Sequence, residues 1–293
     1  MSDTALVLSL FPGIGLLDMA FEAEGFCVVR GPDVLWGGDV RRFSPPAGVF
    51  QGVIGGPPCQ TFSTLANLVR ASGHEPRFGN LIPEFERVVK EADPDWFLME
   101  NVRQAPTPQV SGFAVQDFAL DNVWLGEEQR RWRKFAFGVR GPAAPNLMRW
   151  IEQAPLELPR TCNGVLQQAV NNSQEVKGRT EGAQNYGVVG GGRLHRGYQK
   201  GSVTAHEGGV QNATVTAAHA GARRPKGGRL VRYSVKVAAE LQGLPGDFLD
   251  DAPFTAQGKL KAIANGVPLP MGRAVAKAVK AALAQPARVE MLP

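Results

Sequence analysis

Residues 55–63 read Gly-Gly-Pro-Pro-Cys-Gln-Thr-Phe-Ser, which sets Cys59 directly after the apolar run Gly52-Val53-Ile54 and a rigid Pro-Pro step. Pro57 and Pro58 fix their own φ and disfavour helix at the residues before them, so the chain must leave a strand extended and turn sharply. A thiol at such a strand-to-loop corner can be aimed at a substrate as a nucleophile; the alternative is a small buried hydrophobe, the usual fate of a free cysteine. Glu100, in Met99-Glu100-Asn101-Val102, follows Trp96-Phe97-Leu98 and falls at the carboxyl end of a buried strand, where the sites of open α/β sheets gather. A carboxyl group there is costly to ionise unless paired, which raises its pKa and lets it donate a hydrogen bond near neutrality. Gln129-Arg130-Arg131-Trp132-Arg133 runs into the apolar strand Phe135–Phe137, and alternation predicts Arg131 and Arg133 on one face. Two guanidiniums there need acidic or carbonyl partners if buried; a surface arginine cluster is the other reading.

A second group of residues could hold a ligand. The first strand pattern, Ala5–Leu10, runs into Phe11-Pro12-Gly13-Ile14-Gly15-Leu16, where two glycines allow backbone to approach a ligand and the following helix offers unpaired N–H groups. A structural βα turn would read the same way. Both the G-x-G-x-x-G of dinucleotide folds and the G-x-x-x-x-G-K-[ST] of P-loops are missing, which argues against nicotinamide and ATP. Asp33 follows the second strand pattern and Asp39 follows Gly37-Gly38. Acids at strand ends suit a ribose diol and an adenine amino group, or they are surface turn carboxylates.

The elements that must position these groups alternate. Strand-type runs at Ala5–Leu10, Phe26–Val29, Val49–Ile54, Trp96–Met99 and Lys134–Val139 are separated by helix-like stretches at Leu16–Glu24 and Ile82–Glu91, a pattern that predicts a parallel α/β sheet. From about Pro142 to Gly228 the periodicity fades and Gly, Gln and Asn dominate, as in loops and short strands of a small separate unit. Helical spacing returns at Val235–Leu241, ended by Gly243 and Pro245, and at Pro270–Ala284.

The 293 residues are 43% hydrophobic, enough for one large domain and a smaller one with a substantial core. No run approaches the roughly 20 apolar residues of a membrane span, and the first strand pattern starts at Ala5 without a basic leader, so a cytoplasmic location is expected. Cys27, Cys59 and Cys162 have no paired spacing, and the four histidines have no metal-ligand spacing, so neither disulfides nor a metal are expected. The net charge of +5 is uneven: residues 164–228 carry Lys177, Arg179, Arg193, Arg196, Lys200, Arg223, Arg224 and Lys226 against Glu175, Glu181 and Glu207. Such a local basic excess suits phosphate contacts, or is a solvated charged face.

Taken together, these motifs resemble the cytosine-C5 DNA methyltransferases, in that family's unpermuted order and over about 200 of the 293 residues. Phe11-Pro12-Gly13-Ile14-Gly15 is similar to its first cofactor motif, Gly56-Pro57-Pro58-Cys59-Gln60 to its nucleophile motif, and Arg77-Phe78-Gly79-Asn80-Leu81 to the segment after its catalytic loop. Glu100-Asn101-Val102 resembles the base-clamping motif and Gln129-x-Arg131-x-Arg133 the family's Q-x-R-x-R. Arg232-Tyr233-Ser234 through Leu241-Gln242-Gly243-Leu244-Pro245 resembles the motif supporting the target-recognition region, and Asn265-Gly266-Val267-Pro268 the last motif. The chain departs from the pattern between Val29 and Asp39, too short for the family's usual helix, at Val237 where an acid is usual, and at Ala264 where glycine is common.

The resemblance implies a small bacterial or phage-type enzyme that transfers a methyl group from S-adenosylmethionine to cytosine C5 in duplex DNA. Its implied fold is α/β, a doubly wound, mostly parallel Rossmann-like sheet with a small Gly-rich target-recognition domain. The implied domains are 1–150 with 257–293 for catalysis and donor binding, 151–229 for target recognition, and 230–256 as a hinge. It gives Cys59 the nucleophile's role, Glu100 the base's N3 and exocyclic amine, and Arg133, helped by Arg131, its O2; Gln60 and Ser63 would fill and close the gap left by a flipped base. Phe11, Gly13, Gly15, Leu16, Asp33, Asp39, Pro57, Asn265 and Val267 would hold the donor, without a metal. Arg223 and Arg224 are the expected DNA-phosphate contacts. A monomer associated with the nucleoid, and a cognate restriction endonuclease as partner, complete the expectation. An RNA cytosine methyltransferase on the same scaffold, or a catalytically silent DNA-binding relative, are the alternatives.

Overall fold

The computed structural model describes residues 5–58, 62, 79–127, 129, 131–152 and 234–285, with backbone only at 186–189, 193–196 and 214–215. The chain divides into two compact units. One takes in Met1–Leu120, Arg133–Glu152 and Met271–Pro293; the other takes in Asp121–Trp132 and Gln153–Pro270.

The first unit is built on a six-stranded sheet in the order β2-β1-β3-β4-β6-β5. Its strands are β1 (Leu6–Leu10), β2 (Cys27–Arg30), β3 (Gly52–Gly55), β4 (Trp96–Asn101), β5 (Phe113–Asp121) and β6 (Trp132–Arg140). β1 pairs in parallel with β2 and β3, β3 pairs in parallel with β4, and β6 runs antiparallel to β4. The central strands β3 and β4 are buried along their whole length, which is why Gly52–Gly55 and Trp96–Met99 read as apolar runs; β4 ends in the buried polar pair Glu100-Asn101.

Side-chain alternation along β4 divides the core between two faces. Phe97 and Met99 join Leu8, Leu10, Val53, Phe85, Val88 and Val89 in one cluster, against α2 (Ile82–Ala92). Trp96 lies on the other face, 6.2 Å from Phe21 of α1 (Leu16–Ala23) and 6.3 Å from Phe137 of β6. Helices therefore cover both faces, and the sheet is doubly wound and mostly parallel. α2 buries Ile82, Phe85, Val88, Val89 and Ala92, one stripe at helical spacing; Asn80 Oδ1 accepts a hydrogen bond from Ile82 N–H before its first turn, and Asp93 in the left-handed region ends it. Each fully buried Phe on these faces stabilises the fold by about 1.5–3 kcal/mol relative to exposure.

In the second unit, α3 (Val235–Leu241) and α4 (Ala256–Asn265) are capped by Ser234 and Thr255, whose hydroxyls accept from Val237 and Gly258 N–H. α5 (Leu269–Ala284) begins in this unit and continues into the first. A three-stranded sheet, β7 (Tyr186–Val189), β8 (Arg193–Arg196) and β9 (Thr214–Val215), has the order β8-β7-β9. Among the described residues no helix is long and apolar enough to cross a membrane.

Candidate active site

Glu100 is the fifth residue of β4 and is 7% exposed, so its carboxylate needs a partner. Arg133, near the start of β6, supplies one: its Nε donates to Glu100 Oε1 at 2.6 Å. The two side chains keep 10% and 14% exposure, leaving a narrow solvent-facing edge on an otherwise desolvated pair. The carboxylate also lies against the loop that leaves β3. A Cβ on Gly56 would stand 2.9 Å from Glu100 Oε2, so only glycine leaves that oxygen its place.

Asn101 ties the same loop down. Its Nδ2 donates to the Pro57 carbonyl at 3.1 Å and its Oδ1 accepts from Val102 N–H at 2.8 Å, both from a side chain with 2% exposure. Pro57 is two residues before Cys59 in sequence. Beyond it, Phe62 packs on the core cluster of α2 and the central strands. Cys59, Gln60, Ser63, Arg223 and Arg224 lie outside the described residues.

The turn after β1 has three positive φ angles, at Phe11 (55°), Gly13 (57°) and Gly15 (83°). For an aromatic residue that conformation is strained, and such strain gathers where a fold serves a ligand. Gly13 is gripped at both ends of its peptide: its N–H donates to Asp33 Oδ2 at 2.9 Å, and its carbonyl accepts from Trp36 Nε1 at 2.7 Å. Asp33 Oδ1 also caps the 3-10 turn Val34–Trp36 through Leu35 N–H at 2.6 Å. Asp39 caps the next turn, Val40–Arg42, and the hydrogen bond from the Arg41 side chain holds its carboxyl below the ordinary range. Gly15 begins α1, with no side-chain cap among the described residues, and Leu16 is buried behind it. Sequence reasoning missed Trp36. Its signal was an aromatic residue three positions after Asp33, and it is 58% exposed.

Arg131 is held by carbonyls, one of the two kinds of partner that a buried guanidinium there needs. It precedes β6, is 1% exposed, and its Nη2 donates to the carbonyls of Ala264 and Gly266, each at 2.7 Å. Its own N–H donates to Asp121 Oδ1 at 3.0 Å, and its carbonyl accepts from Asn122 N–H. The physical reason is the end of α4: the last carbonyls of a helix have no partner within it, and a planar fork of donors satisfies two of them. Gln242 adds to the arrangement, donating from Nε2 to Ile263 O at 3.2 Å and accepting Leu269 N–H at its own carbonyl. Asn265 and the buried Val267 thus lie in a stretch held by Arg131 and Gln242, both from motifs far away in sequence. Gln129 is buried as well.

The family model for C-5 cytosine-specific DNA methylase matches residues 38–186, just over half of the chain. The chain belongs to this family. Among curated relatives, the Type II methyltransferase M.FnuDI of Fusobacterium nucleatum is 34% identical over 113 residues, 33% of this chain and 32% of its own length. M.MthTI of Methanothermobacter thermautotrophicus is 30% identical over 164 residues, 46% of this chain and 48% of its own. The chain thus spans about a third to a half of the length of these curated members. Among solved structures, the S. pombe Dnmt2 methyltransferase superposes with a TM-score of 0.57 at 12% identity, covering 95% of this chain and 98% of its own. The Entamoeba histolytica methyltransferase EhMeth gives 0.54 at 10% identity, covering 97% and 100%. At that identity the two structures establish the shared α/β fold, and both Gly56–Pro58 and Glu100–Val102 fall within the residues that the family model matches.

Proposed function

We propose that the chain transfers a methyl group from S-adenosylmethionine to C5 of cytosine in duplex DNA, with Cys59 as nucleophile. The observation that carries this reading is the Glu100–Arg133 pair beside Gly56, with Asn101 gripping Pro57 two residues before Cys59, in a member of the cytosine-C5 family. Cytosine C5 is a poor nucleophile. Addition of the Cys59 thiolate to C6 turns C5 into an enamine carbon, and a cationic neighbour would favour the thiolate. Glu100 bonds the base at N3 and the exocyclic amine and Arg133 bonds O2, so charge that develops on addition meets groups already oriented. With a methyl group bonded to C5 and the donor's sulfur released as a neutral thioether, loss of the C5 proton to a base and expulsion of the thiolate from C6 restore the ring and the free cysteine. A target carbon inside a duplex must first be flipped out, and Gln60 and Ser63 are the residues proposed to fill and close the gap.

The turn after β1 suits the donor. Gly15 opens α1 without a side-chain cap among the described residues, which suits a carboxylate; Phe11 lies in the same turn, Asp33 and Trp36 bond Gly13, and Asp39 is proposed to contribute a second acid to the donor. When bound, S-adenosylmethionine supplies an electrophilic methyl group. Gly13 and Leu16 would approach it through backbone, and Pro57, Asn265 and Val267 are the further donor-binding residues that the family resemblance implies. Among the described residues no cluster of His, Cys, Asp or Glu could hold a metal ion, and the proposal uses none. Residues 151–229 are proposed to recognise the target, with Arg223 and Arg224 on DNA phosphates. Residues 1–150 and 257–293 would form the catalytic domain and 230–256 the hinge of a cytoplasmic, nucleoid-associated monomer; a cognate restriction endonuclease is its proposed partner.

Methyl transfer from labelled S-adenosylmethionine to duplex DNA and to tRNA, side by side, tests the substrate. Label in DNA, at cytosines that bisulfite sequencing then locates, is the expected result. Label in tRNA alone overturns the DNA reading.

A further inference from the structure

Ser9, Asp18 and Arg30 form a network that the proposed chemistry does not use. Asp18, on the first turn of α1, is fully buried. Ser9 Oγ of β1 donates to its Oδ1 at 2.5 Å, and Arg30 Nε, at the end of β2, pairs with its Oδ2 at 2.9 Å. The arginine is only half buried, at 51% exposure, so Asp18 directs it more than packing does. The guanidinium lies over Gly15: a Cβ there would be 2.5 Å from Arg30 Nη2 and 2.9 Å from its Cζ. Gly15 is also the residue in the left-handed region that opens α1, with its N–H bonded to Pro12 O at 2.8 Å. A buried carboxylate therefore holds a flat cation against the backbone of the glycine turn.

We propose that Arg30 is a positioning residue for S-adenosylmethionine, anchored by Asp18 and bracing the Gly13–Gly15 turn in the shape that receives the donor. This rests on the reading of that turn as the donor site. A turn with glycines at Gly13 and Gly15 has wide conformational freedom, and holding it before binding spares the donor the cost of ordering it. The brace acts on donor affinity and leaves DNA binding and the chemical step alone.

The carboxylate's burial supports a functional role. Desolvation raises the Asp18 pKa above its ordinary value; the Ser9 hydrogen bond and the Arg30 charge oppose that rise, and the charge of Glu22 on the same helix adds to it. A carboxyl with a raised folded pKa favours the fold most when protonated, and that contribution declines as pH rises from the ordinary carboxyl value through the raised one. Wherever Asp18 is ionised, its burial thus costs stability. If Asp18 served folding alone, Asp18→Asn would be neutral or stabilising and nothing else would change.

The test is calorimetric titration of S-adenosylmethionine into the wild type, Arg30→Ala, Arg30→Lys and Asp18→Asn, with melting temperatures and steady-state kinetics alongside. Arg30→Ala is expected to weaken donor affinity about tenfold, with kcat and the KM for DNA unchanged. Arg30→Lys should recover part of the loss. Asp18→Asn should lose donor affinity at neutral pH while keeping or raising its melting temperature, and should abolish the decline in affinity that the wild type shows as Asp18 takes up a proton. Folded Arg30→Ala with wild-type donor affinity overturns the brace and leaves the donor site standing. A wild type that binds no S-adenosylmethionine overturns the donor site and the brace together.

Discussion

Replacing Asn101 should release the loop that leads from β3 to Cys59. The side chain is 2% exposed and holds two backbone groups, the buried Pro57 carbonyl at 3.1 Å and Val102 N–H at 2.8 Å. Asn101→Ala leaves both without a partner, and an unsatisfied buried polar group costs about 1–3 kcal/mol, so a loss of roughly 3 kcal/mol is expected. Asn101→Asp is more informative because its shape is retained. It keeps an acceptor for Val102 N–H but turns a charged oxygen toward the Pro57 carbonyl. Its stability deficit at neutral pH should therefore shrink as pH falls and the new carboxyl protonates, since a protonated oxygen can again donate to Pro57. Urea denaturation of both variants against wild type, read as the midpoint at constant slope, measures the effect. In kinetics, kcat should fall by more than the KM for S-adenosylmethionine rises, because Pro57 is only one of the residues proposed to hold the donor. A change under 0.5 kcal/mol in Asn101→Ala, by the scale of exposed substitutions, or an Asn101→Asp variant as stable as wild type at neutral pH, would refute the anchoring argument.

Gly56→Ala should push the Glu100 carboxylate from its place, since the new Cβ would lie 2.9 Å from Oε2; methyl transfer should collapse in a variant whose circular dichroism stays native. Arg131→Met should leave the Ala264 and Gly266 carbonyls without their donors and lower stability by about 2–4 kcal/mol in chemical denaturation. Lys134 hydrogen-bonds Asp117 and, with Thr107, holds its carboxyl below the ordinary value, so that stability is present above the ordinary carboxyl pKa and is lost as pH falls through the lowered one. Melting curves of Asp117→Asn should accordingly converge on those of wild type in acid and fall below them near neutrality.

The elements most legible in the sequence are those whose burial is one-sided or complete. β4 is legible because its first four residues, Trp96–Met99, form a buried apolar run, and α2 because its buried positions recur at helical spacing. β5 carries no such signal: it is a half-buried edge strand with Gln116 and Asp117 in its middle, and its apolar spacing matches neither period. β3 is shorter than its apolar run suggested, since Val49 is 44% exposed and the strand begins at Gly52. At the site, Glu100 could be placed from its strand, but Arg131 could not: the carbonyls that hold it lie more than 130 positions away, and strand alternation says nothing of a residue one place before the strand. The grip of Asp33 and Trp36 on Gly13 is equally invisible, because short 3-10 turns leave no periodicity.

Covalent trapping tests the role of Cys59 most directly. A duplex carrying 5-fluorocytosine at the methylated position, incubated with enzyme and S-adenosylmethionine, should hold the protein in a complex that survives denaturing electrophoresis, because fluorine cannot leave C5 as a proton does. Peptide mapping should then find the adduct at Cys59, and Cys59→Ser should give neither adduct nor turnover. An adduct that persists in Cys59→Ser, or methyl transfer that continues without this thiol, would contradict nucleophilic catalysis by Cys59.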